Sequence, residues 1–85
     1  MEAYRWAILI LMDHSEFLRA LEEIVEAPAG SITGAETLES LGNWDSVAMM
    51  SLMGVVAERS EARLSPRRMA GCNTVDDIFH LIQPA

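Results

Sequence analysis

Apolar residues recur with helical spacing in the first half of this 85-residue chain. They occupy positions i, i+1, i+4, i+7 and i+8, which is one face of an amphipathic helix: Phe17, Leu18, Leu21, Ile24 and Val25. Asp13 and Glu16 have the spacing of a capping box, and Pro28 cannot continue the hydrogen-bond ladder. We therefore predict a first helix whose charged positions face solvent, namely Glu16, Arg19, Glu22, Glu23 and Glu26.

A second helix is predicted from about Asp45 to Ser60, and its apolar surface is broader than one stripe. One row contains Val47, Met50, Met53 or Gly54, and Ala57, and another contains Met49, Leu52 and Val56. A helix of this kind either lies centrally in a bundle or presents part of its apolar surface to a partner. For each methionine both interpretations stay open, since methionine suits cores and adaptable binding surfaces alike.

Two shorter helices are predicted near the end of the chain. Ser65 would cap the first, Pro66 suits its first position and Gly71 ends it. The last helix, Thr74 to Gln83, begins with a Thr74–Asp77 capping pair. Its apolar residues have the i, i+3, i+4, i+7 spacing of one face: Val75, Ile78, Phe79 and Ile82.

Residues 28–44 form a long connection rich in Gly, Ser, Thr and Pro, in which Ile32, Leu38 and Leu41 are spaced to anchor it on a core. Strand-like alternation is absent, so no sheet is expected. The predicted fold is all-α. It is a small four-helix bundle with a long loop between helices 1 and 2 and a short third helix.

Residues 1–12 are treated separately from a predicted domain at 13–83. The apolar run from Trp6 to Met12 is too short to span a bilayer and lacks a convincing cleavage site. Three interpretations are open: an extra helical turn packed on the domain, an interface segment that promotes self-association, or an upstream extension with Met12 as the natural start.

Charge and cysteine content restrict the class of protein. Thirteen acidic residues outnumber six basic ones, all arginine, for a net charge of −7. This balance argues against nucleic acid and suits a partner with a basic docking patch. Cys72 is the single cysteine and only two histidines are present, so neither an intrachain disulfide nor a metal cluster is expected. A reducing cytoplasm is the simplest location.

The segment Leu41-Gly42-Asn43-Trp44-Asp45-Ser46-Val47 carries the candidate chemistry. Asp45 would cap the second helix, which places the Ser46 hydroxyl at the positive end of a helix dipole. An anion is favoured there, and a phosphate above all. Taken alone, most Asp-Ser pairs at helix starts are only caps. No nucleophile–base pair or paired-carboxylate site suggests an enzyme.

The order of these features resembles an acyl carrier protein over residues 13–83. A helix, a long loop, Asp45-Ser46-Val47 opening a second helix, a Leu-Ser-Pro short helix and a final helix led by Thr74 all follow in sequence. The Trp44-Asp45-Ser46 form is similar to free-standing carriers of specialised metabolism, or to carrier domains of polyketide and nonribosomal peptide assembly lines. It is less similar to the fatty-acid carrier.

The resemblance implies that Ser46, beside Asp45, receives 4′-phosphopantetheine from coenzyme A and then holds an acyl or aminoacyl cargo as a thioester. The implied partners are a phosphopantetheinyl transferase, an acyl- or aminoacyl-loading enzyme and a downstream synthase or transferase. The chain itself would not be an enzyme. The implied docking residues are Trp44, Val47, Met50, Ser51, Arg67 and Arg68.

This chain departs from fatty-acid carriers at three positions near the serine. Val47 replaces the usual leucine, and Ala48 and Ser51 stand where that subfamily usually has acidic residues. A dedicated partner that docks more through apolar contacts is therefore expected. The alternative is a non-catalytic helical interaction module, dimerising through residues 1–12 and helix two, in which Asp45 and Ser46 only cap a helix.

Overall fold

The computed structural model describes residues 12–60 and 62–82, and the regular secondary structure in this part of the chain is helical. Its four α-helices are α1 (His14–Val25), α2 (Ser46–Arg59), α3 (Pro66–Ala70) and α4 (Val75–Ile82), with a 3₁₀ turn at Leu38–Ser40. Pairing of strand type is limited, within these residues, to an isolated bridge between Thr37 and Thr74. The all-α prediction is confirmed. Residues 1–11 and Gln83, the predicted last helical residue, lie outside the described residues.

The core is built by the apolar faces that the spacing predicted. The largest fully buried side chains come from α1, α2 and α4: Phe17, Leu21, Leu52, Val56, Val75 and Ile78. The rings of Phe17 and Phe79 lie 5.3 Å apart, which ties α1 to α4. Burying each such side chain contributes about 1.5–3 kcal/mol to folding. This hydrophobic core supports the long loop and the start of α2.

Local capping explains where the helices begin. The Asp13 side chain accepts a hydrogen bond from the Glu16 N–H at 2.8 Å, and the Glu16 carboxylate accepts from the Asp13 N–H at 3.2 Å. Thr74 and Asp77 repeat this reciprocal arrangement at α4. Ser65 accepts from the Arg68 N–H at 3.2 Å at α3. Each predicted cap is therefore confirmed, because capping depends on residues only three apart.

The end of α1 is set by Glu26 and not by Pro28. Glu26 has a left-handed backbone conformation, with φ 60° and ψ 39°. Its N–H donates to the Glu23 carbonyl, and the Ala27 N–H donates to the Glu22 carbonyl at 2.8 Å. This is the Schellman pattern, in which glycine is the usual left-handed residue. Glu26 therefore turns the chain away two residues before the proline.

Glu22 is buried, so the prediction that it faces solvent is wrong. Only 2% of this residue is exposed. Its carboxylate accepts from Arg19 Nε at 2.7 Å and Arg19 Nη2 at 3.0 Å. It also accepts from the backbone N–H groups of Gly30 at 3.0 Å and Ile32 at 2.9 Å. A buried carboxylate is tolerated where its oxygens are so fully hydrogen-bonded, and here it fastens the long loop to α1.

The rest of the long loop is anchored as the sequence predicted. Ile32 and Leu38 are buried, and Leu41 packs against the core while half-buried. In addition, the loop backbone bonds to the start of α4. The Leu38 N–H donates to the Asn73 carbonyl at 2.8 Å, and the Val75 N–H donates to the Glu36 carbonyl at 3.0 Å. The loop is therefore fixed where it crosses the bundle, and it leads the chain to the start of α2.

Met12 lies in the core, with 7% of its surface exposed. We expect a chain that starts at Met12 to fold as the longer chain does, because the core residues that the structure describes are all retained. Its thermal unfolding midpoint, followed by circular dichroism, should match that of the 85-residue chain. Loss of a cooperative transition in the shortened chain would show that residues 1–11 are a structural element of the domain.

Candidate functional site

The candidate site lies where the long loop ends and α2 begins. The Asp45 carboxylate accepts a hydrogen bond from the Ala48 N–H at 2.9 Å and so caps the helix. Just before it, the Asn43 side-chain amide donates to the Val25 carbonyl at 2.7 Å, which fixes the loop on the end of α1. Ser46 is the first residue of α2 and is exposed. Its hydroxyl is therefore presented on a rigid, capped helix end.

The electrostatics at Ser46 favour an attached anion. The first turn of α2 contains no acidic residue, in contrast with α1 and α4. The partial positive charge of a helix N-terminus extends over that first turn, where unpaired backbone N–H groups and the dipole add. A phosphodiester on Ser46 would meet this field, while the Asp45 carboxylate is already engaged with the Ala48 N–H.

The structure separates the two apolar rows of α2. Ala48, Leu52 and Val56 are buried, and Met49 and Met53 pack against the core while half-buried. The opposite row is exposed, and Val47 and Met50 remain 69% and 66% exposed. We call this exposed set the outer row of α2: Val47, Met50, Gly54 and Ala57. The question left open for Met50 is thereby answered, since it faces solvent.

The other predicted docking residues occupy different environments. Trp44 is half-buried and packs against the core. Ser51 is exposed on α2, and Arg67 and Arg68 are exposed on α3. Of the two positions that are acidic in fatty-acid carriers, Ala48 is only 4% exposed. The other, Ser51, is exposed.

A cleft of about 240 Å³ opens between the end of α1 and the start of α2. We call it the α1–α2 cleft, and its rim is formed by Ile24, Glu26, Asn43, Asp45, Val47, Ala48 and Ser51. The two neighbours of Ser46 in the chain both belong to this rim. Sequence reasoning missed the contributions of Ile24, Glu26 and Asn43, because no motif links residues that only the fold brings together.

The pKa shifts of ionisable groups outside this site have structural causes. Burial, aided by the Asp77 carboxylate, raises the pKa of the Cys72 thiol against the opposing effect of Arg68. A thiol of this kind is less reactive, and the half-buried Cys72 packs against the core. The N–H groups of Asn73 and Thr74 lower the pKa of Asp77. In the described part of the chain, no three His, Cys, Asp or Glu side chains are grouped to hold a metal ion.

Comparison with known proteins shows the family of this chain. A family model described as a phosphopantetheine attachment site matches residues 15–82, from the first turn of α1 to the end of α4. No curated protein and no solved structure gives a significant match. Among the helices that the structure describes, none has the length and apolar character needed to cross a bilayer.

Proposed function

The chain belongs to the phosphopantetheine-binding family of acyl carrier proteins, and we propose that Ser46 is the residue that bears the 4′-phosphopantetheine arm. The observation that carries this assignment is the exposure of Ser46 as the first residue of a capped helix. There a transferase can reach the hydroxyl and the helix N-terminus stabilises the phosphodiester.

Other described serines suit this role less well. The hydroxyls of four of them are hydrogen-bonded to backbone groups: Ser31, Ser40, Ser60 and Ser65. Ser15 is exposed in the first turn of α1, where Glu16 adds a second carboxylate to that of the capping Asp13, whereas the capping Asp45 stands alone at the start of α2. Ser51 is exposed in the second turn of α2, beyond the helix end where the dipole acts.

In the proposed modification, Ser46 Oγ forms a bond to the phosphorus that carries pantetheine in coenzyme A. The bond from that phosphorus to the adenosine bisphosphate breaks, and the serine proton leaves. The transferase supplies the metal and the base, so this chain needs none beside Ser46. Its own contribution is a hydroxyl held in one place by the Asp45 cap and the Asn43 anchor. Once attached, the arm supplies a thiol that holds cargo as a thioester.

We propose that partner enzymes dock on the outer row of α2, with Trp44, Ser51, Arg67 and Arg68 around it. Val47 and Met50 expose apolar surface there, and methionine is enriched at protein interfaces, where its flexible side chain adapts to a partner. The proposed partners are a phosphopantetheinyl transferase, an acyl- or aminoacyl-loading enzyme and a downstream synthase or transferase. A polyketide, nonribosomal peptide or other specialised pathway fits the Trp44-Asp45-Ser46 form. A cytoplasmic location stays a prediction.

Intact mass measurement tests the carrier proposal. The protein is incubated with coenzyme A, magnesium and a broad-specificity phosphopantetheinyl transferase, beside a known carrier as positive control. We expect the mass to rise by one phosphopantetheine. No rise in a folded sample, while the control is modified, would contradict loading by this transferase and favour the helical interaction module or a carrier that needs its own transferase.

Replacing Met50 with glutamate is expected to slow loading without unfolding the domain. Because Met50 is exposed, the charge should leave the thermal midpoint nearly unchanged. At an apolar docking surface the same charge should lower the kcat/KM of the transferase about tenfold, which corresponds to roughly 1.4 kcal/mol.

Ala29→Glu is the matched control, since it adds the same charge at an exposed loop position. The kcat/KM of the transferase with this variant should stay close to its value with the original sequence. Equal kcat/KM values for the two variants would show that Met50 is not part of the docking surface.

A further inference from the structure

We propose that the pantetheine segment of the arm folds back into the α1–α2 cleft, and this inference rests on the proposed modification of Ser46. The cleft begins at the attachment point, because Asp45 and Val47 on either side of Ser46 both line it. From there it extends along α2 to Ser51, which lies about 7.5 Å further along the helix axis at a rise of about 1.5 Å per residue.

The chemistry of the cleft complements that of pantetheine. The segment is uncharged and offers two amide N–H groups, a hydroxyl and a pair of geminal methyl groups. The cleft offers oxygen acceptors from Glu26, Asn43 and Ser51. The Asn43 amide nitrogen already donates to the Val25 carbonyl at 2.7 Å, so the side chain is held in place with its oxygen as an acceptor. Ile24 and Val47 supply apolar contact for the methyl groups.

The size of the cleft suits the pantetheine segment better than a long cargo. Its volume of about 240 Å³ lies below the roughly 300–1,000 Å³ of sites that enclose whole drug-sized ligands. A predominantly polar rim also suits amides better than an aliphatic chain. The Glu26 carboxylate in the cleft would repel the phosphodiester, which therefore stays at the helix end while the neutral segment enters.

Tethering makes weak contacts sufficient. An arm attached beside its binding site has an effective concentration in the millimolar range or above, so no tight intrinsic affinity is needed. Glu26 also lines the cleft. It adopts the left-handed conformation at the end of α1, where glycine would be less strained. A glycine there would complete the same turn but remove a carboxylate from the cleft.

Nuclear magnetic resonance of the unmodified and modified forms tests the proposal. Intact mass first establishes that each sample carries the arm. In the modified protein we expect nuclear Overhauser effects between the geminal methyl groups and the methyl groups of Ile24 and Val47. Chemical-shift changes are expected at Glu26, which is distant from Ser46 in sequence. They are also expected at the Asn43 side-chain amide, which is separated from Ser46 by the Asp45 cap.

Ser51→Tyr is the variant that fills the cleft, and Glu58→Tyr is its control at an exposed position on the same helix. The Overhauser effects should disappear in the modified Ser51→Tyr protein and persist in Glu58→Tyr. Glu26→Gly provides a second variant, which should fold at least as stably and show weaker effects. It keeps the test available if tyrosine slows loading.

The outcomes distinguish this inference from the carrier proposal. If the chemical shifts of the modified protein change only at the immediate neighbours of Ser46, the arm does not bind in the cleft, whereas the carrier function is unaffected. Overhauser effects that survive in Ser51→Tyr would overturn binding in the cleft as well. Absence of any mass gain in the unaltered chain would instead contradict the modification itself.

Discussion

Ser46→Ala is expected to abolish phosphopantetheine loading while leaving the fold intact. The substitution removes the only atom of this residue that can bond to phosphorus. Ser46 is exposed, and the cap of α2 is made by Asp45, so helix formation does not depend on the hydroxyl. Intact mass after incubation with coenzyme A and the transferase should show no gain. The thermal midpoint should stay within a few degrees of the unaltered chain, as for other surface substitutions of less than about 0.5 kcal/mol.

Ser15→Ala and Ser51→Ala are the matched controls, because both remove an exposed helical serine hydroxyl. Each should still gain one phosphopantetheine. Loading that persists in Ser46→Ala would refute the assignment of this residue, and loss of loading in a control instead would identify the serine that bears the arm. An unfolded Ser46→Ala protein would show that the serine has a structural role that its exposure does not suggest.

Glu22→Gln is expected to destabilise the domain more than any single surface change. A neutral amide cannot accept from the Arg19 guanidinium as a carboxylate does, and one of its two terminal groups is a donor that would face the N–H groups of Gly30 and Ile32. We expect the thermal midpoint to fall by more than about 10 °C, as for other broken buried networks in small domains. Glu23→Gln is the control, since Glu23 is adjacent but exposed.

The same network predicts how stability depends on pH. Hydrogen bonding to Arg19, assisted by the N–H groups of Ile32 and Gly30, lowers the pKa of Glu22 from 4.5 to about 2 against the effect of burial. Because the folded pKa lies below the unfolded one, the stabilisation is complete above about pH 4.5 and is lost as pH falls toward 2. The lowered pKa values of Glu36 and Asp77 act in the same direction.

Urea unfolding of the original chain and of Glu22→Gln between pH 6 and pH 2 measures this contribution. We expect the two midpoints to differ most near neutral pH and to converge as the solution becomes acidic. A constant difference across the range would mean that the Glu22 carboxylate does not carry the pH dependence.

The sequence was most informative where structure depends on near neighbours. Capping at Asp13, Ser65 and Thr74 needs residues only three positions apart, and all three caps were predicted. The apolar faces of α1 and α4 were read from helical spacing for the same reason. The family, the cofactor class and the all-α fold followed from the order of these elements around Asp45 and Ser46, and the family match over residues 15–82 confirms them.

Tertiary structure decided the features that join distant segments. Glu22 is a charged residue in a helical pattern, and its burial depends on N–H groups that a loop delivers eight and ten residues later. Which row of α2 faces the core depends on where α1 and α4 pack, so the exposure of Met50 could not be read from its own helix. The α1–α2 cleft likewise exists only once the end of α1, the loop and α2 meet. Local patterns determine which elements form, whereas long-range packing and hydrogen bonding determine which surfaces remain available for function.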